Sequence, residues 1–417
     1  MDLKAHVFAE LGDLINVYKQ LHANPELSGQ EAMSSKLVAD QLEACGIVVT
    51  RNFGGHGVVG VLENGDGPTV MVRGDMDALP ITEETGVDYA SSSRVTDNSG
   101  NEVGIMHACG HDIHMTTLVG TARVLSKCKN HWNGKVIFVG QPAEEVGAGA
   151  KGMIESGLFN KFGCPDYCLT THVIPHVEAG RITIKSGPIM AGIFQLKIIV
   201  RGVGGHGAIP HESKDPIVLA ARIVTSLQTI ISREISPLTP AVITIGSIHG
   251  GTRANIIPAE VVMEATVRFS DQDTEKQILK AIERTCRFEA LSMGIQENNL
   301  PIIEFDETMH LPATINDSDL VDIVRESANE NIGHENVMEA EMLMVSEDFS
   351  LFRSAGGPKI SSCMFFTGAV AKEELNLCRA QNTKPPSLHN SRFCPPPEPT
   401  IKTAVTVMAG SVLKIMQ

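Results

Sequence analysis

The stretch VMVRGDMDALP, residues 70–80, joins a short apolar run to two carboxylates that follow it directly. An unbroken apolar run of this length is typical of a strand in a parallel sheet that is buried on both faces. Active sites of such sheets lie just past the carboxyl ends of the strands, which is where Asp75 and Asp77 fall. A spacing of two places both carboxylates on one side if the backbone stays extended. Taken alone, the pair also fits turn and capping residues.

Similar apolar runs recur around this stretch and alternate with helical patterns. The predicted strands are residues 58–62, 69–72, 135–139 and 167–171, and the predicted helices include residues 1–22 and the stretch after His111. Strands that alternate with helices form a mostly parallel sheet with helices on both faces. The sequence therefore predicts an α/β fold.

The order of elements changes beyond residue 188. Predicted strands at 194–202, 241–248 and 260–269 alternate with helices at 215–234 and 274–293, and residues 301–305 can add a closing strand. This order predicts a compact α+β, ferredoxin-like unit. A helix near 317–330, a strand near 364–366 and a helix after Pro399 can complete the first sheet. We therefore divide the chain into 1–187 and 301–417, which form one catalytic domain, and 188–300, which form an insert.

The composition excludes several classes of protein. The 417 residues are 42% hydrophobic and 20% charged, as in a globular protein with a large core, and their formal net charge is −15. Without clustered Lys and Arg, neither nucleic acid nor an anionic membrane is expected as a partner. The N-terminus is patterned as an amphipathic helix and not as a signal peptide, so a cytoplasmic location is expected. The nine cysteines are scattered, and Cys164 and Cys168 are interpreted as structural.

Further candidate ligands follow other predicted strands or lie just before a predicted helix. GQPAEE ends in Glu144 and Glu145, whose side chains point in opposite directions in an extended chain, so that one can bind metal while the other faces substrate. TTHV contributes His172, and MHACGHDIH contributes Cys109 and His111. Asp112 of the same motif can cap the following helix. Each residue alone has a structural interpretation. Together they favour a metal site, because burying so many charges without a cation costs several kcal/mol per ion.

These motifs, in this order, resemble the aminoacylase/carboxypeptidase superfamily of co-catalytic metallopeptidases. Within it the chain is similar to the branch of hippurate hydrolase and the plant auxin-conjugate (indole-acetyl-amino acid) hydrolases. The matching motifs run nearly from end to end: LHANPELSGQE (21–31), RGDMDALPI (73–81), MHACGHD (106–112), GQPAEE (140–145), GAKGMIESGLF (149–159), TTHV (170–173), GGHGAIPHESKDPI (204–217), TRANIIP (252–258), SEDFS (346–350) and LHN (388–390). The resemblance implies that the insert is a lid that also dimerises.

The resemblance also implies two divalent metal ions, for which Zn²⁺, Mn²⁺ and Co²⁺ are all suitable. The five implied ligands are Cys109, which bridges the ions, His111, Glu145, His172 and His389. Glu144 is implied as the general base, and Asp77 as the acid that orients a ligand or supports the base. Asp75 falls where other branches keep a metal-binding histidine, so its role stays open.

Other implied roles fall on the insert and around the metal motif. His206 is implied as the donor to the oxyanion, often supplied by the partner subunit, and Asn255 as a substrate-binding residue. Arg253 either meets a substrate carboxylate or forms a surface salt bridge. His107 and His114 are expected to shape the motif through supporting hydrogen bonds, His22 is expected to hold its own turn, and His211 has no assigned role.

The function that the resemblance implies is metal-dependent hydrolysis of the amide bond of N-acyl amino acids, with acetyl, benzoyl or similar acyl groups. A dipeptidase or carboxypeptidase is the near alternative, since all of these cleave an amide beside a free carboxylate. A catalytically silent relative would be expected to lose ligands, and here Glu144 and all five are present. A homodimer or higher homo-oligomer through the insert is also implied.

Overall fold

The computed structural model describes residues 1–96 and 100–417. Its helices are α1 (Leu3–Ala23), α2 (Ala32–Ala44), α3 (His111–Lys127), α4 (Gly149–Glu155), α5 (Leu158–Phe162), α6 (Pro216–Thr229), α7 (Gln272–Ser292), α8 (Ser318–Ile332), α9 (Ser350–Gly356), α10 (Lys372–Gln381) and α11 (Pro397–Ile415). Its strands are β1 (Val48–Thr50), β2 (Val58–Asn64), β3 (Thr69–Asp75), β4 (Arg94–Thr96), β5 (Glu102–Gly104), β6 (Gly134–Gln141), β7 (Tyr167–Glu178), β8 (Ile182–Ile184), β9 (Gly187–Met190), β10 (Gly192–Arg201), β11 (Gly205–His206), β12 (Ala241–Gly250), β13 (Ile256–Ile257), β14 (Glu260–Phe269), β15 (Ile302–Leu311), β16 (Thr314–Asn316), β17 (Val337–Glu339) and β18 (Ser361–Val370).

The chain forms two compact units. Unit 1 comprises residues 1–189, 315–341 and 348–417, and unit 2 comprises 190–314 and 342–347. The first boundary between the units lies close to the boundary at 187/188 that the sequence predicts. The second lies after residue 314 and not after 300, because β15 pairs with β10 and so belongs to the sheet of unit 2.

The central sheet of unit 1 has eight strands in the order β1-β2-β6-β3-β7-β18-β8-β17. Its four middle strands, β6, β3, β7 and β18, are parallel. Their residues are mostly apolar and mostly buried, as expected for parallel strands with both faces covered. Antiparallel pairing enters at β1-β2-β6 and at β18-β8. The predicted α/β class with a mostly parallel sheet is confirmed.

Helix α3 runs through the interior of unit 1. Fourteen of its 17 residues are buried, and the helix packs against α1, α11 and β3. Leu118, Val119 and Leu125 join the main hydrophobic core, together with Leu14 of α1 and Val405 of α11. Burial on all sides fixes the axis of α3 and therefore the positions of the polar side chains at its N-terminus.

Unit 2 has the order β10-α6-β12-β14-α7-β15, with a four-stranded antiparallel sheet ordered β12-β14-β10-β15. This is the ferredoxin-like arrangement that the sequence predicts. Residues of α6 and α7, such as Ile223 and Ile282, pack with the sheet residues Ile198 and Met263 in a separate core. None of the helices in the described part of the chain combines the length and the apolar character needed to cross a bilayer.

Candidate metal centre

The predicted ligands of unit 1 meet at the carboxyl ends of neighbouring strands. Asp75 is the last residue of β3, and β6 ends at Gln141, just before Glu144 and Glu145. Strand β7 pairs with β3 up to Thr170 opposite Arg73, which brings His172 to the same edge of the sheet. The parallel pairing of β6, β3 and β7 therefore brings motifs that are distant in sequence together in one cluster.

The thiol of Cys109 lies at the centre of this cluster. Its Sγ atom is 3.3 Å from Nε2 of His389 and 3.6 Å from Nε2 of His172. Two sets of three ligand atoms share this sulfur, each set lying within 4.8 Å of one another: one contains His111 and His172, and the other contains Glu145 and His389. A sulfur shared by two such sets is the arrangement expected of a bridging ligand.

Gly110 makes the turn between Cys109 and His111 possible. It has a φ of 79°, and a Cβ atom at this position would lie 2.4 Å from Cγ2 of Val173. Only glycine tolerates both the left-handed backbone and this close approach. Cys109 and the first residue of α3 are thereby directed into the same site.

The histidines present their Nε2 atoms to the centre. Nδ1–H of His172 donates to the carbonyl oxygen of Val173 at 2.8 Å, so its Nε2 carries the lone pair. Burial lowers the pKa of His172 well below its usual value and keeps the ring neutral, which is the form that binds metal. Nδ1 of His111 faces Oδ1 of Asp77 at 3.3 Å, which leaves Nε2 of His111 near Asp75 and Glu145.

The charges of the cluster fit a bound cation. Burial lowers the pKa of His111, but the carboxylates of Asp75 and Asp77 outweigh it and raise that pKa well above its usual value. Burial and then the Glu145 carboxylate raise the pKa of the Cys109 thiol. Among the described residues, Nε2 of His111 and Oε1 of Glu145 are buried without a hydrogen-bond partner. A divalent ion would satisfy these atoms and stabilise the thiolate, so the donor set of thiol, imidazoles and carboxylate fits the implied metals.

His389 reaches the centre from a distant part of the sequence. Its φ of 61° lies in the left-handed region that non-glycine residues rarely adopt, and its N–H donates to the carbonyl oxygen of Ala108 at 2.9 Å. Its Nε2 is 3.4 Å from Oε2 of Glu145, and its side chain is 53% exposed. The segment after α10 therefore closes the solvent side of the cluster.

The backbone around Glu144 forms a tight elbow. Ala143 has a φ of 51°, and its N–H donates to Oε1 of Glu31 at 2.8 Å. The N–H of Glu145 donates to Oδ2 of Asp77 at 3.0 Å. Glu144 is half-buried and lies with His111 and Glu145 in a third set of ligand atoms within 4.8 Å. Its two neighbours are thus each held by a carboxylate.

Asp75 is bound by other protein groups. Its Oδ2 accepts from Nη1 of Arg73 at 2.6 Å, and its Oδ1 accepts from Nδ1 of His114 at 2.6 Å. Nε2 of His114 accepts from the N–H of Val173 at 3.0 Å, so both nitrogens of that ring are engaged. Burial raises the pKa of Asp75, but Arg73 and the histidines outweigh it and hold that pKa well below its usual value. We interpret Asp75 and His114 as supports for the neighbouring ligands His111 and His172.

A polar layer that could not be predicted from the sequence lies beneath Asp75. Nη2 of Arg73 donates to Asp348 at 3.1 Å, and Nε of Arg73 donates to Gln141 at 2.9 Å. Nε2 of Gln141 donates to Oδ1 of Asp348 at 2.7 Å. The RGDMDALPI, GQPAEE and SEDFS motifs contain these residues, but Arg73 and Asp348 are 275 positions apart and no spacing rule connects them.

Two expectations about this region are wrong. Gly110 occupies the N-cap position of α3 without a side-chain cap, and Asp112 lies inside the first turn, where its Oδ1 accepts from the N–H of Ile113 at 2.8 Å. Oδ2 of Asp112 is 2.7 Å from Nδ1 of His22, and Nε2 of His22 is 3.0 Å from Glu83. His22 therefore links three segments of the chain and does more than hold its own turn. His107 is buried, and within the described ranges neither of its nitrogens has a hydrogen-bond partner, so the supporting bonds expected for it are not found. Burial lowers the pKa of His107 to about 4.

The remaining predicted residues lie in unit 2. β11 and β13 form a small ribbon in which His206 pairs with Ile256, and the N–H of Gly207 donates to the carbonyl oxygen of Asn255 at 2.9 Å. Nδ1 of His206 accepts from the N–H of Ala208 at 3.0 Å, so the proton is on Nε2 and this exposed ring can donate. Arg253 lines a groove of about 510 Å³ and forms no ion pair with any described residue, so the salt-bridge alternative is not found there.

The chain is similar to a known protein family and to several of its named relatives. A model of Peptidase family M20/M25/M40 matches residues 71–409. Hippurate hydrolase of Campylobacter jejuni is 37% identical over 354 residues, which are 84% of this chain and 88% of that protein. Thermostable carboxypeptidase 2 of Saccharolobus solfataricus is 36% identical over 385 residues, 91% of this chain and 90% of that protein.

A solved structure agrees with these relatives. The YXEP protein of Bacillus subtilis, described as a dinuclear metal binding peptidase from the M20 family, aligns with a TM-score of 0.79 and 27% identity, covering 98% of this chain and 99% of its own. The resemblance inferred from the motifs is confirmed. The chain belongs to Peptidase family M20/M25/M40.

Proposed function

We propose that this protein is a two-metal amidohydrolase that cleaves the amide bond of N-acyl amino acids. The observation that carries the proposal is the thiol of Cys109, shared by two sets of ligand atoms at the sheet edge beside Glu144. The relative named hippurate hydrolase and the dinuclear peptidase of known structure support the reaction class and the number of ions. Zn²⁺, Mn²⁺ and Co²⁺ all suit the donor set.

The proposed ligands are Cys109, His111, Glu145, His172 and His389. When bound, the ions supply Lewis-acid activation of water and of the amide carbonyl. Asp77 holds His111 through Nδ1, so that Nε2 of His111 remains available to a metal.

Glu144 is the proposed general base. It takes a proton from the attacking water and delivers it to the leaving amine nitrogen, so that carboxylate and acid forms alternate within one turnover. The half-buried position of Glu144 beside His111 and Glu145 supports this role, because it places the carboxylate next to the ligand atoms.

For the insert, we propose His206 as a donor to the oxyanion, and Asn255 and Arg253 as substrate-binding residues. The donor tautomer of His206 and the unpaired guanidinium of Arg253 support these roles, the latter as judged over the described residues. We also propose that the protein acts in the cytoplasm as a homodimer formed through unit 2.

The test is turnover of N-benzoylglycine, N-acetyl amino acids and dipeptides by the wild type and by Glu144→Gln. We expect the acylated amino acids to be the best substrates, and Glu144→Gln to lower kcat roughly 100-fold to 10,000-fold while both metals stay bound. Glu155→Gln, an exposed glutamate of α4, is the matched control. Normal turnover by Glu144→Gln would remove this residue from the mechanism.

The second candidate is a carboxypeptidase or dipeptidase, which the carboxypeptidase relative favours. Both reactions cleave an amide next to a free carboxylate, and they differ in whether the group on the other side is an acyl chain or an amino acid. A higher kcat/KM for dipeptides or for C-terminal residues of peptides than for any N-acyl amino acid would establish this second candidate.

A further inference from the structure

The motif LHANPELSGQE, residues 21–31, has no part in the proposed chemistry, yet its last residue lies against the active-site elbow. Glu31 is fully buried, and its Oε1 accepts hydrogen bonds from the N–H of Gly29 at 2.7 Å and of Ala143 at 2.8 Å. A buried carboxylate that accepts backbone N–H groups holds them more tightly than a neutral acceptor does. The contact therefore fixes the backbone N–H of Ala143, the residue directly before Glu144.

The conformation held by this contact is unfavourable on its own. Ala143 has a φ of 51°, and an alanine prefers the right-handed or extended regions because its Cβ approaches the carbonyl oxygen in the left-handed one. A strained residue next to a functional group persists only when its surroundings determine it. A change of Ala143 to a right-handed backbone would redirect the following side chain, which is Glu144.

The other side of the elbow is also fixed. The carbonyl oxygen of Ala143 accepts from the N–H groups of Ala148 and Gly149, both at 3.1 Å. A Cβ atom at Gly149 would lie 1.6 Å from the carbonyl oxygen of Pro142, so this closed loop requires glycine there. The N–H of Glu145 is held by Asp77, which in turn accepts from Oγ of Ser28 at 2.6 Å. The N-terminal motif thus reaches both neighbours of Glu144.

We propose that Glu31 is a positioning residue, which holds Ala143 in its left-handed conformation and so aims the carboxylate of Glu144. The proposal rests on the proposed role of Glu144 as the general base. It assigns no contact between Glu31 and substrate or metal. Its expected signature is a loss in kcat with little change in KM and no change in the number of bound metal ions.

The experiment compares Glu31→Met, which fills the buried space without an acceptor, with Glu31→Gln, which keeps a carbonyl oxygen. We expect Glu31→Met to lower kcat roughly 10-fold to 100-fold with KM within about threefold of the wild type, and Glu31→Gln to recover most of the loss. Elemental analysis should give wild-type metal content for both variants. Glu26→Met is the matched control, because Glu26 belongs to the same motif but accepts the N–H groups of Met33 and Ser34 at the start of α2.

A second background tests the physical cause. Glycine enters the left-handed region without steric cost, so Ala143→Gly removes the strain that Glu31 opposes. We expect Glu31→Met to reduce kcat by less than about threefold when it is added to Ala143→Gly. An equal loss in both backgrounds would overturn the proposal, as would near-normal kcat of Glu31→Met in the wild-type background.

If Glu31→Met does not fold, amide hydrogen exchange in Glu31→Gln tests the positioning role of Glu31. The amide of Ala143 should be protected in the wild type and should exchange several-fold faster in Glu31→Gln, because the neutral acceptor is weaker. Unchanged exchange there would overturn the proposal. Glu144→Gln separates the two hypotheses: if it is inactive and Glu31→Met is active, only the positioning role fails, whereas an active Glu144→Gln removes the base itself.

Discussion

At the scale of single residues, the chemistry of the centre depends on the protonation state of one buried sulfur. Burial and the Glu145 carboxylate raise the pKa of the Cys109 thiol, so the protein by itself favours the protonated form. A metal ion reverses this preference, since thiolates bind such ions and thiols do not. Loading of the site should therefore release a proton.

Cys109→Ser tests the shared ligand. A serine hydroxyl is a poor substitute for a bridging thiolate, so we expect the variant to hold fewer than two ions per chain after dialysis and to lose at least about 100-fold in kcat. Elemental analysis and turnover measure the two effects. Cys164→Ser, at an exposed cysteine, should match the wild type. Two tightly held ions in Cys109→Ser would contradict the bridging role.

The residues of the candidate centre could be predicted from sequence because they follow strands or belong to motifs that resemble those of a known family. Cys109 and His111 share one motif, and Glu144 and Glu145 share another. The contacts that orient them could not be predicted. Glu31 lies 112 positions from Ala143, and His22 lies 90 positions from Asp112, so only the folded chain shows that these residues meet. The elbow at Ala143 was also missed, because alanine gives no sign of a left-handed backbone.

At the scale of elements, His22 links α1 to the first turn of α3. Burial lowers the pKa of His22, but the hydrogen bonds to Asp112 and Glu83 outweigh it and raise that pKa to about 9. The buried ring is therefore charged at neutral pH and paired with two carboxylates. A raised folded-state pKa means that this pairing stabilises fully below pH 6.5, the usual value, and that the stabilisation is lost as the pH rises through about 9.

His22→Gln should remove that pH dependence. A shift of this size corresponds to roughly 3 kcal/mol, so the free energy of unfolding of the wild type should fall by about that amount more than that of His22→Gln between pH 6.5 and 9.5. Urea unfolding at several pH values measures the difference. His131→Gln, at an exposed histidine, should keep the wild-type dependence. Parallel curves for the wild type and His22→Gln would contradict a charged His22.

Most long elements could be predicted from their apolar patterns, and the short ones could not. The predicted strands at 58–62, 69–72, 135–139 and 167–171 all lie within β2, β3, β6 and β7. The three-residue strands β1, β8 and β17 have too few residues to show a period. The closing strand of unit 2 was expected over 301–305, whereas β15 extends to Leu311, because pairing with β10 continues past an irregularity at Phe194.

At the scale of the whole molecule, the two edges of the unit 2 sheet differ in charge. The edge strand β12, AVITIGSIHG, contains no charged residue, whereas the opposite edge β15 carries Glu304, Asp306 and Glu307. Acidic edges repel their copies, and uncharged edges are free to pair. If the protein dimerises through unit 2 as proposed, β12 is the edge that suits the interface.

Ile248→Lys tests this interface. Ile248 is 51% exposed on β12, and a lysine there would set two like charges near each other in a symmetric pair. We expect the dimer dissociation constant to rise at least about tenfold, measured by sedimentation. Ile302→Lys, at 40% exposure on β15, is the matched control and should leave it unchanged. Equal dimer dissociation constants for the two variants would exclude the β12 edge from the interface.

The position of His389 has a consequence for biosynthesis. Its Nε2 meets the sulfur of Cys109 across 280 positions of sequence. While the ribosome translates the chain, the proposed ligand Cys109 emerges 280 residues before the last proposed ligand, His389. If His389 is the ligand proposed, a polypeptide that is terminated before this residue lacks a finished centre, and hydrolytic activity begins only when translation has passed it.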